Sequence, residues 1–416
     1  MDETASETKA GIPPAHSSTP IRSKRWLAAT LAGLLGVGIF VGTAGAILYD
    51  DLNSKVKSSV VDTSHLKTPE PAQSEEEPEE EEIPEDSFAG RPVNILVMGS
   101  DARVNQSEAI VAAEDDDESM RSDTTLVVHI PADRESLTVV SIPRDIWMKL
   151  PECQRSDGSI SYSQWGQFNW AFSYGSGGTT EDVAGAVNCT EQTVEEMTGL
   201  KLDAFALFDF DGFGAMVDAL GGVNICLEEE LTDNNYLHMT FEEGCQVMDA
   251  VTATQYARVR HVGDGSDMGR IQRQQGLIGA MMMQAMNSNI LTDMPSLYQF
   301  VTATLATTIL SPSLGNVNTD VGLANSIKGV EPENIRFTTM PVLTTDFNRN
   351  RLMPKEPLNS ELWESIKLDL PLPEGVVYQD MSGEYFTIGP DGESIPGGNP
   401  RTDDEIGKFT GWIPNG

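Results

Sequence analysis

From Pro92 onward the apolar residues fall into short runs, "VNILVMG", "TTLVVHI" and "LTVVSIP", rich in β-branched side chains and bounded by Gly, Pro or Asp. Such runs predict the buried central strands of a sheet. Two later stretches, "EDVAGAVNCTEQTVEEMTG" and "RIQRQQGLIGAMMMQAM", carry apolar residues at helical spacing, and in the second Ile271, Ile278, Met282 and Ala285 are expected to face a core. Met281 to Met283 read as core packing rather than as a metal site. Strands interleaved with helices predict an α/β fold, a layered α-β-α domain with a central mixed sheet. After Thr345 the chain becomes rich in Gly, Pro and Asp, which predicts a poorly ordered tail.

Upstream, "WLAATLAGLLGVGIFVGTAGAIL" (Trp26 to Leu48) is uncharged and long enough to cross a bilayer of about 30 Å as one helix. Arg22, Lys24 and Arg25 precede it and Asp50 and Asp51 follow, an asymmetry that places the N-terminus in the cytoplasm and all that follows outside. A cleaved signal peptide is the competing reading, but the stretch is longer than an h-region and no clear A-x-A site follows. The run "EEEPEEEEIPED" lies within residues 49 to 87, a region almost without aromatics, which predicts a solvated, self-repelling spacer.

Charge narrows the function. The 416 residues contain 27 Lys and Arg against 64 Asp and Glu, a net charge of −37, which excludes non-specific attraction to nucleic acid. The four cysteines, Cys153, Cys189, Cys226 and Cys245, all follow the apolar stretch, on the side where thiols oxidise, and show no C-x-x-C spacing. Two disulfides are expected. Three pairings are possible, and proximity favours Cys153 with Cys189 and Cys226 with Cys245.

Against that acidity stands "YARVRHVGDGSDMGRIQRQQ", Tyr256 to Gln275. If "QYARVRH" is a strand, Arg258 and Arg260 leave the same face. Arg270 and Gln274, four apart, share a face of the following helix, and Asp267 is placed to cap it, so its free N–H groups point at the same space. Together these describe a site for a di-anion or a chain of phosphates, for which the planar fork of Arg is suited. Arginines paired with the chain's own carboxylates remain the alternative on this stretch alone.

Other strand ends add charge of both signs. Asp101 and Arg103 follow Gly99-Ser100, Arg121 and Asp123 open the next strand, and Arg144 and Asp145 follow Pro143. Ligand sites of α/β sheets form at such ends, and carboxylates there offer the hard oxygens that Mg²⁺ takes when it bridges phosphates.

The ordered set "LVMGSDAR", "RSDTTLVV", "VSIPRDIW", "FNWAFSYG", "VDALGGVNI" and "YARVRHVGDGSDMGRIQRQQ" resembles the motifs of the LytR-CpsA-Psr family, phosphotransferases of Gram-positive cell-wall assembly. The resemblance covers Pro92 to Val342 together with the anchor architecture. The cysteine pairs and acidic stretch resemble actinobacterial members more than firmicute ones. The insertion between Asp101 and Asp123, "VNQSEAIVAAEDDDESM", is longer than the family leads one to expect. The resemblance implies that Arg144, Arg258, Arg260, Arg270 and Gln274 hold the pyrophosphate of a polyprenyl-linked glycan, with Arg103 and Arg121 as further contacts. It implies Asp101 and Asp123 as the positions associated with Mg²⁺ and catalysis, Arg144 acting beside them. The implied reaction moves a glycan phosphate from an undecaprenyl-pyrophosphate carrier to a hydroxyl of peptidoglycan or a surface protein, and polyprenyl phosphate leaves.

Phosphoryl transfer requires positioning and neutralisation of spreading negative charge, which arginines and Mg²⁺ supply. A prenyl chain also requires an apolar channel, for which "FALFDFDGFGAMVDALGGV" offers Phe205, Phe208, Phe210 and Phe213 if they do not simply pack a core. Two other readings stand beside transfer: a non-catalytic wall scaffold that grips anionic glycopolymer, and a pyrophosphatase in which water replaces the acceptor. The expected organisation is a cytoplasmic N-terminus (1–25), a transmembrane helix (26–48), an acidic linker (49–87), an extracellular catalytic domain (88–345) and a partly disordered C-terminal extension (346–416).

Overall fold

A computed structural model of the protein describes residues 47–67, 86–100, 120–234, 238–259, 267–288, 294–345, 348, 350–398 and 408–409. The chain separates into two units, Met1–Asp51 and Leu52–Gly416, and the elements below belong to the second. Among the described residues no helix is long and apolar enough to cross a membrane. The expected span, Trp26 to Leu48, lies outside them but for its last two residues.

The apolar runs form strands where expected: β1 (Val93–Ser100), β2 (Ser122–Ile130) and β3 (Leu137–Ser141). They join β4 (Ala204–Phe208), β5 (Ile309–Leu310), β6 (Ile335–Thr339), β7 (Val377–Gln379), β8 (Tyr385–Ile388) and β9 (Ser394–Pro396) in one nine-stranded sheet, ordered β5-β4-β1-β2-β3-β6-β7-β8-β9. The sheet is mixed. β2 pairs antiparallel with β1 and β3, whereas β4 pairs parallel with β1 and β6 parallel with β3. Therefore β1, β3, β4 and β6 all point the same way, and their carboxyl ends share one edge.

Alternation along each strand sorts side chains onto two faces. Leu96, Met98, Val127 and Val140 join a core with Phe172 of α1 (Trp170–Gly175), Val187 and Val194 of α2 (Val183–Thr198), and Leu362 and Trp363 of α8 (Leu358–Lys367). Their neighbours Ile95, Val97, Leu126, Val128 and Val139 meet α5 (Asp267–Asn287) and α7 (Val317–Ile327) through Ile278, Met282 and Leu323. The result is the expected α-β-α layering. Three further helices, α3 (Phe210–Ala219), α4 (Ala250–Arg258) and α6 (Met294–Leu305), gather at the β4 side. Helices α2, α3 and α4 each begin behind an aspartate, Asp182, Asp209 or Asp249, that accepts from a backbone N–H three residues on at 2.7–2.8 Å. Helices α1 and α2 meet at Gly175 and Gly185, where an added Cβ on either would collide with the other's carbonyl oxygen.

Both disulfides form with the favoured pairing. Cys153 is joined to Cys189 of α2, and Cys226 to Cys245 across an antiparallel pair, Val223–Leu227 with Gly244–Met248.

Two expectations give way. Part of the stretch read as spacer is folded: residues 52–58 are helical, Val56 and Leu66 are buried, and the Thr63 hydroxyl and Lys67 ammonium donate to Glu191 of α2 at 3.1 and 3.3 Å. The acidic run nearby concealed these few apolar positions, and residues 68–85 lie outside the described ones. Beyond Thr345 the chain is not simply loose: α8 and strands β7 to β9 continue the same core and sheet. Leu362 and Trp363 are 0% and 2% exposed, and burying such a side chain contributes about 1.5–3 kcal/mol, enough to hold a short helix in place.

Candidate functional site

The shared edge of the parallel strands collects the charged residues. Arg121 and Asp123 begin β2 there, Arg144 follows β3, and Asp209 and Phe210 follow β4. Arg258 ends α4, and Arg270 and Gln274 occupy the first two turns of α5. Arg121, Asp123, Arg144, Arg258, Arg270 and Gln274 line a single cavity of about 880 Å³, within the range of ligand pockets. Asp101, Arg103 and Arg260 lie outside the described residues, as does the insertion up to Glu118 and Ser119.

Arg258 reaches this edge by a different route from the one expected. Gln255 to Arg258 are helical rather than a strand: they are the last residues of α4, which the Asp249 cap starts and Ala250, Ala253 and Ala257 favour. Arg258 is therefore carried by a helix end rather than by a strand, and Arg260 lies outside the described residues. Asp267 is the first residue of α5.

Hydrogen bonds fix the charged groups. The Arg144 guanidinium donates through Nη1 to Asp123 Oδ1 at 2.8 Å, with Nε 3.6 Å from Asp145 Oδ2, and the Gln167 amide also donates to Asp145. Arg270 Nη2 donates to the Asp123 carbonyl at 3.3 Å. Gln274 accepts from the Thr124 hydroxyl at 3.2 Å and donates to the Ala257 carbonyl at 3.1 Å, so α5, β2 and the end of α4 are tied through one side chain. The Arg258 guanidinium lies 4.5 Å from the centre of the Phe210 ring, a cation–π contact. Arg273, which sequence reasoning passed over, is 6% exposed and donates to the Val259 carbonyl, holding the chain just after Arg258. Arg270 is as deeply buried, 3% exposed, and neither burial leaves a mark in the sequence.

Below this charged rim the cavity is apolar. Ile95, Val97, Leu126 and Val128 floor it from the sheet, and Ile278, Met281, Met282 and Ala285 wall it from α5. Of the four phenylalanines considered for a channel, Phe208, Phe210 and Phe213 line the cavity, whereas Phe205 is 1% exposed in the core on the other face. Alternation along β4 separates Phe205 from Phe208.

Two carboxylates in the wall were not foreseen. Asp320 of α7 has its pKa pushed up to about 7 by burial, the sole cause, and its Oδ1 is buried without a hydrogen-bond partner. It interrupts the apolar stripe of α7 formed by Val317, Leu323 and Ile327, a pattern that sequence can display once the helix is known. Burial also raises the Asp209 pKa, opposed by hydrogen bonds from Gly212 and Thr307.

Among the described residues no three His, Cys, Asp or Glu side chains cluster to hold a metal. Asp123 supplies one hard carboxylate at the rim. That donor set suits Mg²⁺, which keeps several waters and takes one or two carboxylates plus phosphate oxygens.

Residues 57–367 match the LytR_cpsA_psr family, and the chain belongs to it. Cell wall biosynthesis protein LcpA of Corynebacterium glutamicum is 27% identical over 278 residues, covering 64% of this chain and 52% of LcpA. The probable cell wall biosynthesis protein LcpB of the same organism is 32% identical over 197 residues, 46% of this chain and 42% of LcpB. The chain thus spans about half the length of these two relatives. TagU of Oceanobacillus iheyensis, named a polyisoprenyl-teichoic acid–peptidoglycan teichoic acid transferase, is 26% identical over 305 residues, 73% of this chain and 84% of TagU. The crystal structure of protein gbs0355 from Streptococcus agalactiae shares the fold, with a TM-score of 0.54 at 18% identity, covering 68% of this chain and 90% of that one.

Proposed function

We propose that the protein is a membrane-anchored, extracellular phosphotransferase that moves a glycan phosphate from a polyprenyl-pyrophosphate carrier to a hydroxyl of peptidoglycan or a surface protein. The observation that carries this reading is a rim of four arginines, Arg121, Arg144, Arg258 and Arg270, on an apolar cavity of about 880 Å³. A charged rim over a greasy interior matches an amphiphile with a pyrophosphate head. The names of the relatives as wall-polymer transferases and wall biosynthesis proteins support the same class.

In this reading the arginines grip the pyrophosphate oxygens in pairs and hold the scissile P–O bond at the rim. Arg144 exchanges part of its bond to Asp123 for a phosphate oxygen. An acceptor hydroxyl attacks the glycan-bearing phosphorus, the new O–P bond forms as the bridging P–O bond breaks, and polyprenyl phosphate leaves. Asp123, or Asp101 after β1, takes the hydroxyl proton. These two carboxylates would also hold Mg²⁺, which contributes neutralisation of the developing charge. The apolar wall keeps the prenyl chain out of water, and the stretch Trp26 to Leu48 keeps the enzyme at the membrane where that chain resides.

The test incubates the full chain in detergent with a lipid-linked glycan, Mg²⁺ and peptidoglycan. Acceptor-dependent release of polyprenyl monophosphate, with glycan phosphate on the acceptor, is the expected outcome. Binding without release leaves the scaffold reading, and release without acceptor product leaves hydrolysis.

A further inference from the structure

The arginine-rimmed cavity runs the length of the sheet. On β2 its lining extends from Asp123 at the rim to Ile130, about 23 Å further along the strand. Helix α7 supplies the wall at that far end: Leu323 packs in one cluster with Val93, Ile130, Leu137 and Ile335, which lie at the ends of β1, β2, β3 and β6 away from the rim. Asp320 stands one turn earlier on α7, shares the face of Leu323 and also lines the cavity. Every other charged residue of the lining belongs to the opposite end. Arg121, Asp123, Arg144, Asp209, Arg258 and Arg270 all stand at the carboxyl edge of the parallel strands.

Helical spacing sets this carboxyl beside Val317, Leu323 and Ala324. Its Oδ1 is buried without a hydrogen-bond partner, and burial alone raises its pKa to about 7. Among the described residues no charge on the surrounding elements compensates it. Helix α5 carries no charge beyond Arg273, and β5 and the turn through Leu314 carry none. Helix α6 offers only Tyr298, whose hydroxyl accepts from Lys55 at 3.0 Å. Asp86 pairs with Arg134, and Arg91 with Asp203. His129 and Arg336 leave the other face of their strands, the first toward Asn94 and Asp369, the second over Tyr378. Lys57, Asp133, Glu135, Lys328, Glu331 and Glu333 are exposed.

We infer that Asp320 is a specificity-determining residue for the lipid tail: a chain long enough to lie over α7 binds tightly only while this carboxyl is uncharged, and a chain that stops short is indifferent to it. This role rests on the cavity being the site of a lipid-linked pyrophosphate, and it adds a residue that distinguishes one tail from another. Covering a carboxylate with hydrocarbon strips away the water that solvates it, whereas covering a carboxylic acid costs far less. A long chain therefore raises the Asp320 pKa further, and its binding takes up a proton wherever the empty protein has lost one. Below about pH 7 the group is already neutral and long-chain affinity is level; above it, that affinity falls as pH rises. The pyrophosphate head titrates in the same way on a chain of any length, so the ratio of long-chain to short-chain affinity isolates Asp320.

The test is isothermal titration of the full chain in detergent with undecaprenyl pyrophosphate and with geranyl pyrophosphate, whose chain is too short to reach α7, at about pH 6 and about pH 8.5. In the wild type the ratio of dissociation constants, long over short, should rise about tenfold or more between those values. Asp320→Asn, which cannot ionise, should hold the ratio constant. Asp320→Leu should hold it too, and should bind the long chain more tightly than the wild type at the higher pH. Where the short chain binds too weakly to measure, the long-chain constant is compared between the wild type and Asp320→Asn at each pH. A merely structural Asp320 would move both lipids alike. A wild-type ratio that stays level, or one that rises as much in both variants, overturns the role of Asp320 while leaving the lipid site standing. Failure of both lipids to bind at either pH removes the lipid-pyrophosphate reading and this role with it.

Discussion

Arg144 and Asp123 face each other across the cavity rim with Nη1 2.8 Å from Oδ1, a charge pair at the place where phosphate oxygens are expected. Both side chains are largely buried, 20% and 12% exposed, so the pair is held rather than dispersed into solvent. The rim is therefore not a set of bare cations that an incoming pyrophosphate simply relieves. Asp123 competes with that pyrophosphate for Arg144.

The competition has a measurable consequence. Arg144→Ala should lower transfer by at least about 100-fold and weaken pyrophosphate binding, with a stability loss of about 1–3 kcal/mol from the Asp123 oxygen it leaves behind. Asp123→Asn should bind polyprenyl pyrophosphate at least as tightly as wild type without Mg²⁺, yet transfer poorly. Titration and product formation on the same preparations check both, with circular dichroism to confirm folding. Weaker binding in Asp123→Asn would contradict the competing role given to this carboxylate.

Asp320 sets a pH dependence. Its folded-state pKa of about 7 lies above its ordinary 3.8, so the folded protein retains a proton that the unfolded chain releases. Stability from this group is fully present below about pH 3.8, falls as pH rises from there to about 7, and is lost above that. Asp320→Asn should therefore be more stable than wild type at pH 8, with the gap closing as pH falls through that window. Chemical denaturation at several pH values checks it, and a gap that widens toward acid would reverse the sign.

The Arg258 guanidinium packs against the Phe210 ring. Phe210→Leu keeps the apolar volume but removes the ring, and should weaken binding of a pyrophosphate lipid by about 2- to 30-fold, the worth of about 0.5–2 kcal/mol. Isothermal titration measures this. An unchanged affinity would mean that Arg258 is placed by the helix end alone.

The interior of the cavity can be tested apart from its rim. Ile278→Trp should fill free space at a stability change within about 1 kcal/mol, while affinity for a long prenyl chain falls and affinity for a short-chain pyrophosphate stays. Comparing the two ligands by titration separates chain from head. Equal losses for both would indicate a disturbed rim rather than a filled channel.

What could be read beforehand depended on how far each signal was local. β1 to β3 are continuous apolar runs, and a central strand shows itself in that way. Strands β7 to β9 span three or four residues each among Gly, Pro and Asp, and their place in the sheet comes from partners far away in sequence. Arg144, Arg258, Arg270 and Gln274 can be singled out from sequence because their side-chain chemistry is visible in a string of letters, and the structure brings them to one cavity. Two arginines two apart suggest strand alternation around Arg258, but the Asp249 cap seven residues before Tyr256 sets a helix instead. Asp320 acquires meaning only from burial, which follows from how helices α5 and α7 lie around the sheet.

The central claim is that the arginine-rimmed cavity binds a lipid-linked pyrophosphate, and thermal unfolding of the full chain in detergent, titrated with a polyprenyl pyrophosphate and Mg²⁺, tests it most directly. A ligand that binds only the folded state stabilises it by about 2.7 kcal/mol at a hundred times its Kd, a shift well within reach of the measurement. The account predicts a melting temperature that climbs with ligand concentration in the wild type and climbs far less in Arg258→Gln and Arg270→Gln, which keep polarity and lose charge. A melting temperature that stays flat across the titration, with and without Mg²⁺, or that climbs equally in those variants, would contradict it.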